Sequence, residues 1–154
     1  MSLEVGDRAP EFSLPADGGS EVALNDYKGK PVVLYFYPKD DTSGCTAEAC
    51  AFRDALPDFG KVKAAIIGIS RDSVASHDKF KAKFKLSFPL ASDEDGLVCQ
   101  AYGVWVEKSM YGRKYMGIER STFLIDGKGV IRKVWRKVKV PRHAEQVLEA
   151  AAAL

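Results

Sequence analysis

An α/β fold, a central mixed β-sheet flanked by helices, is what this sequence predicts. Three observations carry it. A six-residue run of apolar, β-branched and aromatic residues, Val32 to Tyr37, stands between Lys30-Pro31 and Pro38; an alanine-rich, helix-forming stretch follows; a second apolar run, Ala64 to Ser70, comes after that. The first run is too short for a helix and lacks polar alternation, so it reads as a strand covered on both faces. Strand, helix and strand in this order imply a parallel pair joined by a right-handed crossover.

The other elements follow in chain order. Glu11–Pro15 and Glu21–Leu24 flank the turn-rich Ala16-Asp17-Gly18-Gly19-Ser20, which predicts an N-terminal β-hairpin. The helix after the first buried strand runs from about Thr42 to Leu56. Ala47, Ala49, Ala51 and Ala55 favour it, Thr42 or Ser43 can cap it, and Pro57 ends or kinks it. Ser73–Lys85 is a charged amphipathic helix with Val74, Phe80 and Phe84 on its apolar side. Phe88–Ala91 is a short strand and Gly96–Tyr102 a short helix. Thr122–Asp126 and Val130–Trp135 flank Gly127-Lys128-Gly129, a hairpin turn. An alanine-rich helix begins near Pro141. The layout is an α/β sandwich of the thioredoxin kind with an insertion near residues 71–118. No linker or repeat divides it, so residues 1–154 read as one domain. Layout alone fixes no function.

A chain of 154 residues can bury a sizeable core. With 23 basic and 21 acidic residues, the net charge of +2 does not argue for nucleic acid or a membrane as partner. The opening MSLEVGDRAPEF has no apolar core of signal-peptide length, and no run approaches the roughly 18 apolar residues of a membrane span. These features predict a cytoplasmic protein. In a reducing compartment three cysteines are too few, and odd in number, for a disulfide scaffold, so a close pair reads as catalytic or redox-active. No C-x2-C or H-x3-H pair is present and no glycine-rich loop precedes a helix, so neither metal nor cofactor is expected. His77 and His143, set among charged residues, read as solvated surface residues. Cys99, in an apolar stretch, reads as core. The basic run Arg132–Lys139 reads as the solvated face of an edge strand.

The chemistry concentrates at Cys45. It stands where a helix begins after a central strand, and there backbone N–H groups lack partners and the helix dipole is positive. Both favour a thiolate. Its neighbours Ser43, Gly44 and Thr46 are small and polar, which predicts an accessible sulfur. Cys50 lies five residues on, ~7.5 Å along an ideal helix and ~140° around it, with the two Cα atoms roughly 8–9 Å apart. A disulfide needs about 7 Å or less. The pair cannot bond across an intact helix, so if the two react the first turns must unwind.

These residues also carry a resemblance. Pro38-x-x-x-Thr42-x-x-Cys45 resembles the peroxidatic signature of the peroxiredoxins, and Cys45-Thr46-Ala47-Glu48-Ala49-Cys50 followed by Phe52-Arg53-Asp54 is similar to the peroxiredoxin Q or bacterioferritin comigratory protein subgroup. Gly6-Asp7-Arg8-Ala9-Pro10-x-Phe12 and Tyr111-Gly112-x-x-Tyr115-x-Gly117-Ile118-x-Arg120-Ser121-Thr122-Phe123 extend it over nearly the whole chain. The resemblance implies a thioredoxin-like fold and a cofactor-free peroxidase acting on hydrogen peroxide and organic hydroperoxides. It makes Cys45 the peroxidatic and Cys50 the resolving cysteine. Some relatives carry the resolver on the next helix, but Ser73–Lys85 has no cysteine. Arg120 would hold thiolate and peroxide with its fork of donors, Thr42 would bond both through its hydroxyl, Gly44 and Cys45 would offer backbone N–H groups, and Pro38 would close the pocket. Glu48, one turn after Cys45, would pair with Arg53 or Arg120. The implied reductant is thioredoxin, with glutaredoxin as the alternative, and the implied state is a monomer. Two other readings stay open: a thiol–disulfide oxidoreductase on the same fold, which the missing C-x-x-C argues against, and a binding module or holdase using the aromatic segment Met110–Met116.

Overall fold

The computed structural model describes residues 3–154; Met1 and Ser2, the start of the opening segment, lie outside them. In chain order the elements are β1 (Ser13–Pro15), β2 (Glu21–Ala23), β3 (Val32–Phe36), α1 (Ser43–Lys61), β4 (Ala65–Ser70), α2 (Val74–Phe84), β5 (Leu90–Ser92), α3 (Leu97–Ala101), β6 (Trp105–Met110), β7 (Arg113–Ile118), β8 (Ser121–Ile125), β9 (Ile131–Trp135) and α4 (His143–Ala152). The main sheet has the order β5-β4-β3-β8-β9. β3 runs parallel to β4, and β4 to β5; β8 is antiparallel to β3 and β9 to β8. This is the mixed sheet flanked by helices that the sequence predicts, with β1–β2 as the N-terminal hairpin.

β3 explains its own composition. Val33, Tyr35 and Tyr37 face one apolar cluster with Ala49, Phe52 and Phe59 of α1 and Val147 of α4. Val32, Leu34 and Phe36 face the other, with Phe12, Cys99, Tyr102 and Phe123. A strand with a core on each side has no polar face to show. Cys99 is core as expected from sequence. β9 is an edge strand with Arg132 and Lys133 exposed, a composition that discourages edge-to-edge pairing.

Three expectations are corrected. α1 does not end at Leu56; it continues through Pro57 to Lys61. Proline removes one helical hydrogen bond, but Phe59, fully buried against Phe52, holds the last turn on the core. His77 and His143 are not surface residues. Both are buried, each with a partner distant in sequence: His77 between Asp40 and the Ala91 carbonyl, His143 beside the Thr122 hydroxyl and packed edge-on against Phe52 and Trp135. Finally, the aromatic segment Met110–Met116, for which the sequence predicts no strand, is the tip of the antiparallel hairpin β6–β7. Its two turn residues, Tyr111 and Gly112, have φ of 51° and 76°, as a two-residue turn matching strand twist requires. Its outer residues are largely exposed, so no apolar alternation announces it.

Gly68, central in β4, is needed for close packing: a Cβ there would lie 2.9 Å from the Tyr35 ring and 3.0 Å from Leu90. Gly68→Ala is expected to cost ~1–3 kcal/mol through overpacking. Gly60→Ala, at an exposed helical position with no atom near the added methyl, is expected to gain ~0.5–1 kcal/mol. Urea unfolding of the two variants against the parent chain measures both; equal stabilities would refute the packing argument.

Candidate active site

β3 ends under the sheet's carboxyl edge, the chain turns through residues 37–42, and α1 begins at Ser43. The first helical bond at this end runs from Thr46 N–H to Thr42 C=O at 2.8 Å. The N–H groups of Ser43, Gly44 and Cys45 precede it, and an α-helix gives such groups no internal partner. No side chain caps this end: the Thr42 hydroxyl donates instead to the Lys39 carbonyl at 2.9 Å, and the first turn carries no acidic residue. The positive end of the helix is therefore uncompensated by side-chain charge where Cys45 sits.

Cys45 is 1% exposed. The sequence predicts an accessible sulfur; the structure turns it toward the sheet, into the cluster that holds Tyr35 and Ala49. The reason is helical phase, since Cys45, Glu48, Ala49 and Phe52 share the buried face of α1. The sulfur is not isolated there. Arg120 Nη2 donates to Cys45 Sγ at 3.3 Å, and Arg120 Nη1 donates to Glu48 Oε1 at 2.6 Å. One guanidinium thus bridges a cysteine and a carboxyl three residues apart on one helix. Arg120 directly precedes β8, and the pairing of Ser121 with Phe36 puts it beside the end of β3. Gly44 makes room, because a Cβ there would stand 3.2 Å from Arg120 Nη2.

Glu48 is 1% exposed, and its Oε2 has no hydrogen-bond partner. Burial pushes its carboxyl up to about 7, against the opposing pull of Arg120. Burial works to lower the Arg120 guanidinium, but Glu48 and Cys45 outweigh it and hold the group above its ordinary range. Lys108 of β6 is drawn down, first by burial and then by Arg120. It lines an open groove of about 350 Å³ with Pro38, Trp105, Tyr115 and Met116.

Of the residues singled out in the sequence, the structure brings together Cys45, Gly44, Arg120 and Glu48. Thr42 is exposed, with its hydroxyl on Lys39, and Pro38 is exposed at the rim of the groove. Cys50 is half-buried in the same unbroken helix, and all three cysteines are free thiols. Arg53 pairs with Asp54 and donates to the Phe84 carbonyl, which leaves Glu48 to Arg120. Sequence reasoning missed Lys108, which reaches the site from the unrecognised hairpin. It also missed the contacts of Asp40 and His77 behind the loop; the signal available was the charged Asp40 within the signature. Among the described residues no helix is long and apolar enough to cross a membrane.

Comparison with known proteins finds relatives along nearly the whole chain. The model of the AhpC/TSA family matches residues 5–134. The chain is 56% identical to a putative peroxiredoxin bcp of Coxiella burnetii, over 96% of this chain and 98% of that one. It is 52% identical to the peroxiredoxin Bcp of Bacillus subtilis, over 97% and 95%. A structure of a PrxQ mutant from Xylella fastidiosa superposes with a TM-score of 0.94 at 44% identity, covering 99% of this chain and 98% of that one. The bacterioferritin comigratory protein of Xanthomonas campestris, studied for its alkyl peroxide reduction activity, gives 0.88 at 49% identity, covering 92% and 90%. With a family model across most of its length and relatives this similar end to end, the chain belongs to the AhpC/TSA family, among the peroxiredoxins.

Proposed function

We propose that the thiol peroxidase chemistry of this chain runs through Cys45 and Cys50. Hydrogen peroxide and organic hydroperoxides are the substrates. The observation that carries this reading is the 3.3 Å hydrogen bond from Arg120 to the Cys45 sulfur at the start of α1. Cys45 thiolate attacks the distal peroxide oxygen, the O–O bond breaks, and sulfenic acid and an alcohol or water result. Charge passes from sulfur to the leaving oxygen, so donors must face both atoms. Arg120 has such a fork, and the free N–H groups of Gly44 and Cys45 lie beside it. Thr42 and Pro38 complete the pocket once a small movement of the first turn admits the peroxide to the buried sulfur. Glu48 anchors the guanidinium. Loss of thiolate charge leaves Arg120 facing Glu48 alone, which favours ionisation of Glu48 and frees a proton as the leaving oxygen needs one.

Cys50 then attacks the Cys45 sulfur, expelling water and forming a disulfide. An external dithiol, thioredoxin in the first instance and glutaredoxin in the second, reduces it by thiol–disulfide exchange. The chain acts as one domain and as a monomer in the cytoplasm, in defence against peroxides.

Cys45→Ser is expected to abolish peroxide consumption. Cys50→Ser should still form a sulfenic acid, trapped by a dimedone-type reagent and read by mass, but should not cycle with thioredoxin. Appreciable thioredoxin-linked turnover in the Cys45 variant, or insulin reduction by the parent chain without peroxide consumption, would overturn the assignment.

Glu48 carries a separate pH prediction. Its folded value is raised, so between its unfolded range and about 7 the folded chain holds a proton that the unfolded chain releases. Stability therefore falls as pH rises through that window, by on the order of 3 kcal/mol. In Glu48→Gln this contribution to the fall should vanish, and the peroxide reaction should lose an ionisation near 7 and slow by about 10-fold as Arg120 loses its anchor. Urea unfolding at pH 5 and pH 8, with initial rates across the same range, measures both; an unchanged stability profile would refute the role.

A further inference from the structure

The loop that delivers Cys45 rests on a buried polar cluster outside the reaction centre. His77, in α2, has no solvent exposure. Its Nδ1 stands 2.7 Å from Asp40 Oδ2 and its Nε2 stands 2.9 Å from the Ala91 carbonyl oxygen. A carbonyl only accepts, so Nε2 carries a hydrogen. A carboxylate also only accepts, so a proton lies between Nδ1 and Oδ2 as well. The pair therefore holds one proton more than a neutral imidazole and a carboxylate carry together. Asp40 is otherwise saturated: Tyr37 Oη donates to Oδ1 at 2.6 Å and Ser76 Oγ to Oδ2 at 2.8 Å. Its own amide donates to Asp72 Oδ2 at 2.8 Å, and Ser70 Oγ donates to that same oxygen at 2.6 Å. Asp40, Asp72 and His77 lie close enough to suggest a metal site. The 2.7 Å separation is instead that of hydrogen-bonded atoms, since ligands about 2.0–2.1 Å from one tetrahedral ion stand further apart.

The same helix holds the chain in two more places. Lys83 Nζ pairs with Asp41, at 2.8 Å to Oδ2, and the Phe84 carbonyl accepts from Arg53 Nη1 at 2.7 Å. Asp40 and Asp41 immediately precede the Cys45 segment, and Arg53 follows Cys50 by one helical turn. The ties from α2 thus bracket the stretch that must unwind if Cys45 is to reach Cys50.

We propose that His77, through the proton it shares with Asp40, is a positioning residue that fixes the loop before Cys45, and that α2 is the brace between whose ties the Cys45–Cys50 segment unwinds and refolds. This rests on the Cys45–Cys50 pathway proposed above. The groups that face the imidazole are Asp40 from the loop, Asp72 from the β4–α2 turn, Tyr37 from the end of β3 and the uncharged Ala91 carbonyl from β5. Asp17, on the turn packed against α2, is held by Lys81 and the Leu90 amide. Burial pulls the imidazole down, but the bond and charge of Asp40, with the Ala91 carbonyl and Asp72, outweigh it and hold His77 above its ordinary range. The sign follows: the brace is intact below the ordinary imidazole range and loosens as pH rises through the raised value.

The test uses the full chain. The rate of Cys45 oxidation by hydrogen peroxide and the rate of disulfide formation are followed separately by rapid quench and mass. His77→Phe is expected to slow the oxidation step by ~10- to ~100-fold, the cost of a misplaced reacting atom, with a smaller effect on disulfide formation. Asp40→Asn can bond a neutral imidazole; in a Glu48→Gln background, which lacks the ionisation near 7, adding Asp40→Asn should remove the decline with rising pH that Glu48→Gln alone retains. A folded His77→Phe chain within about 2-fold of the parent, or a decline with rising pH that is the same in Glu48→Gln with and without Asp40→Asn, would overturn the brace. Should His77→Phe fail to fold, amide exchange in the parent chain decides: protection of residues 39–44 should fall relative to β3 and β4 between mildly acidic and alkaline pH, and uniform protection would overturn the proposal. Peroxide consumption by Cys45→Ser would sink the parent pathway, whereas a Cys45-dependent peroxidase indifferent to His77 sinks only the brace.

Discussion

The guanidinium of Arg120 is the group on which the site depends. It faces a sulfur at 3.3 Å and a buried carboxyl oxygen at 2.6 Å, both on one face of α1. Without it Glu48 would be an uncompensated buried acid, and removing one partner of a buried ion pair costs on the order of 3–5 kcal/mol. No local feature of α1 supplies this contact. It comes from a residue 75 positions away, delivered by the antiparallel pairing of β8 with β3. The mixed sheet thus has a direct chemical use: parallel β3–β4 pairing directs α1 across one face, and antiparallel β8 brings Arg120 to the carboxyl edge where α1 starts.

The start of α1 has to satisfy two opposed demands. It must present Cys45 in one geometry, and it must open if Cys45 is to meet Cys50. An ideal N-cap would serve the first demand and oppose the second, since a side-chain cap contributes about 0.5–2 kcal/mol. Here Thr42 stands at the cap position but bonds Lys39, and the first turn has no acidic side chain. The helix end is held by tertiary contacts instead, above all the Arg120 bridge. On the proposed pathway, reaction of the sulfur would change one of those contacts and weaken the hold as unwinding is needed. A helix stabilised by its own cap would not sense the oxidation of Cys45.

What was legible in the sequence was what short spacing encodes. The continuous apolar run of β3, the helix start at Cys45 and the N-terminal hairpin follow from patterns a few residues long. The turn at Gly127–Gly129 does too. The Arg120 contact came through resemblance to a family, not through any local pattern. His77 and His143 were misjudged because their flanks are charged while their partners, Asp40, Ala91 and Thr122, lie 14 to 37 residues away. The end of α1 was misjudged because the local rule for Pro57 ignores Phe59, whose burial outweighs one lost hydrogen bond. β6–β7 escaped because an exposed two-stranded hairpin leaves little periodicity in hydrophobicity; the surviving trace was a glycine in second turn position. Polar residues whose partners lie far along the chain leave no mark that composition can read.

How far α1 must open follows from its anchors. Five residues of extended chain span up to ~17 Å, so Cys45 and Cys50 can approach within bonding range once the intervening turns lose helical geometry, without displacing the rest of the helix. Unwinding beyond Cys50 meets Phe52, fully buried against Tyr35 and Phe59. Exposing such a ring forfeits on the order of 3 kcal/mol, far more than releasing the exposed Ala47. Arg53, tied to the Phe84 carbonyl, adds a second stop one residue later. On the other side the buried partners of Asp40 make the loop expensive to move. The least costly excursion is therefore confined to about residues 42–51, a stretch short enough that closing it adds little loop entropy. Its ends are set by side chains of β3, α2 and the core, and both cysteines lie inside it.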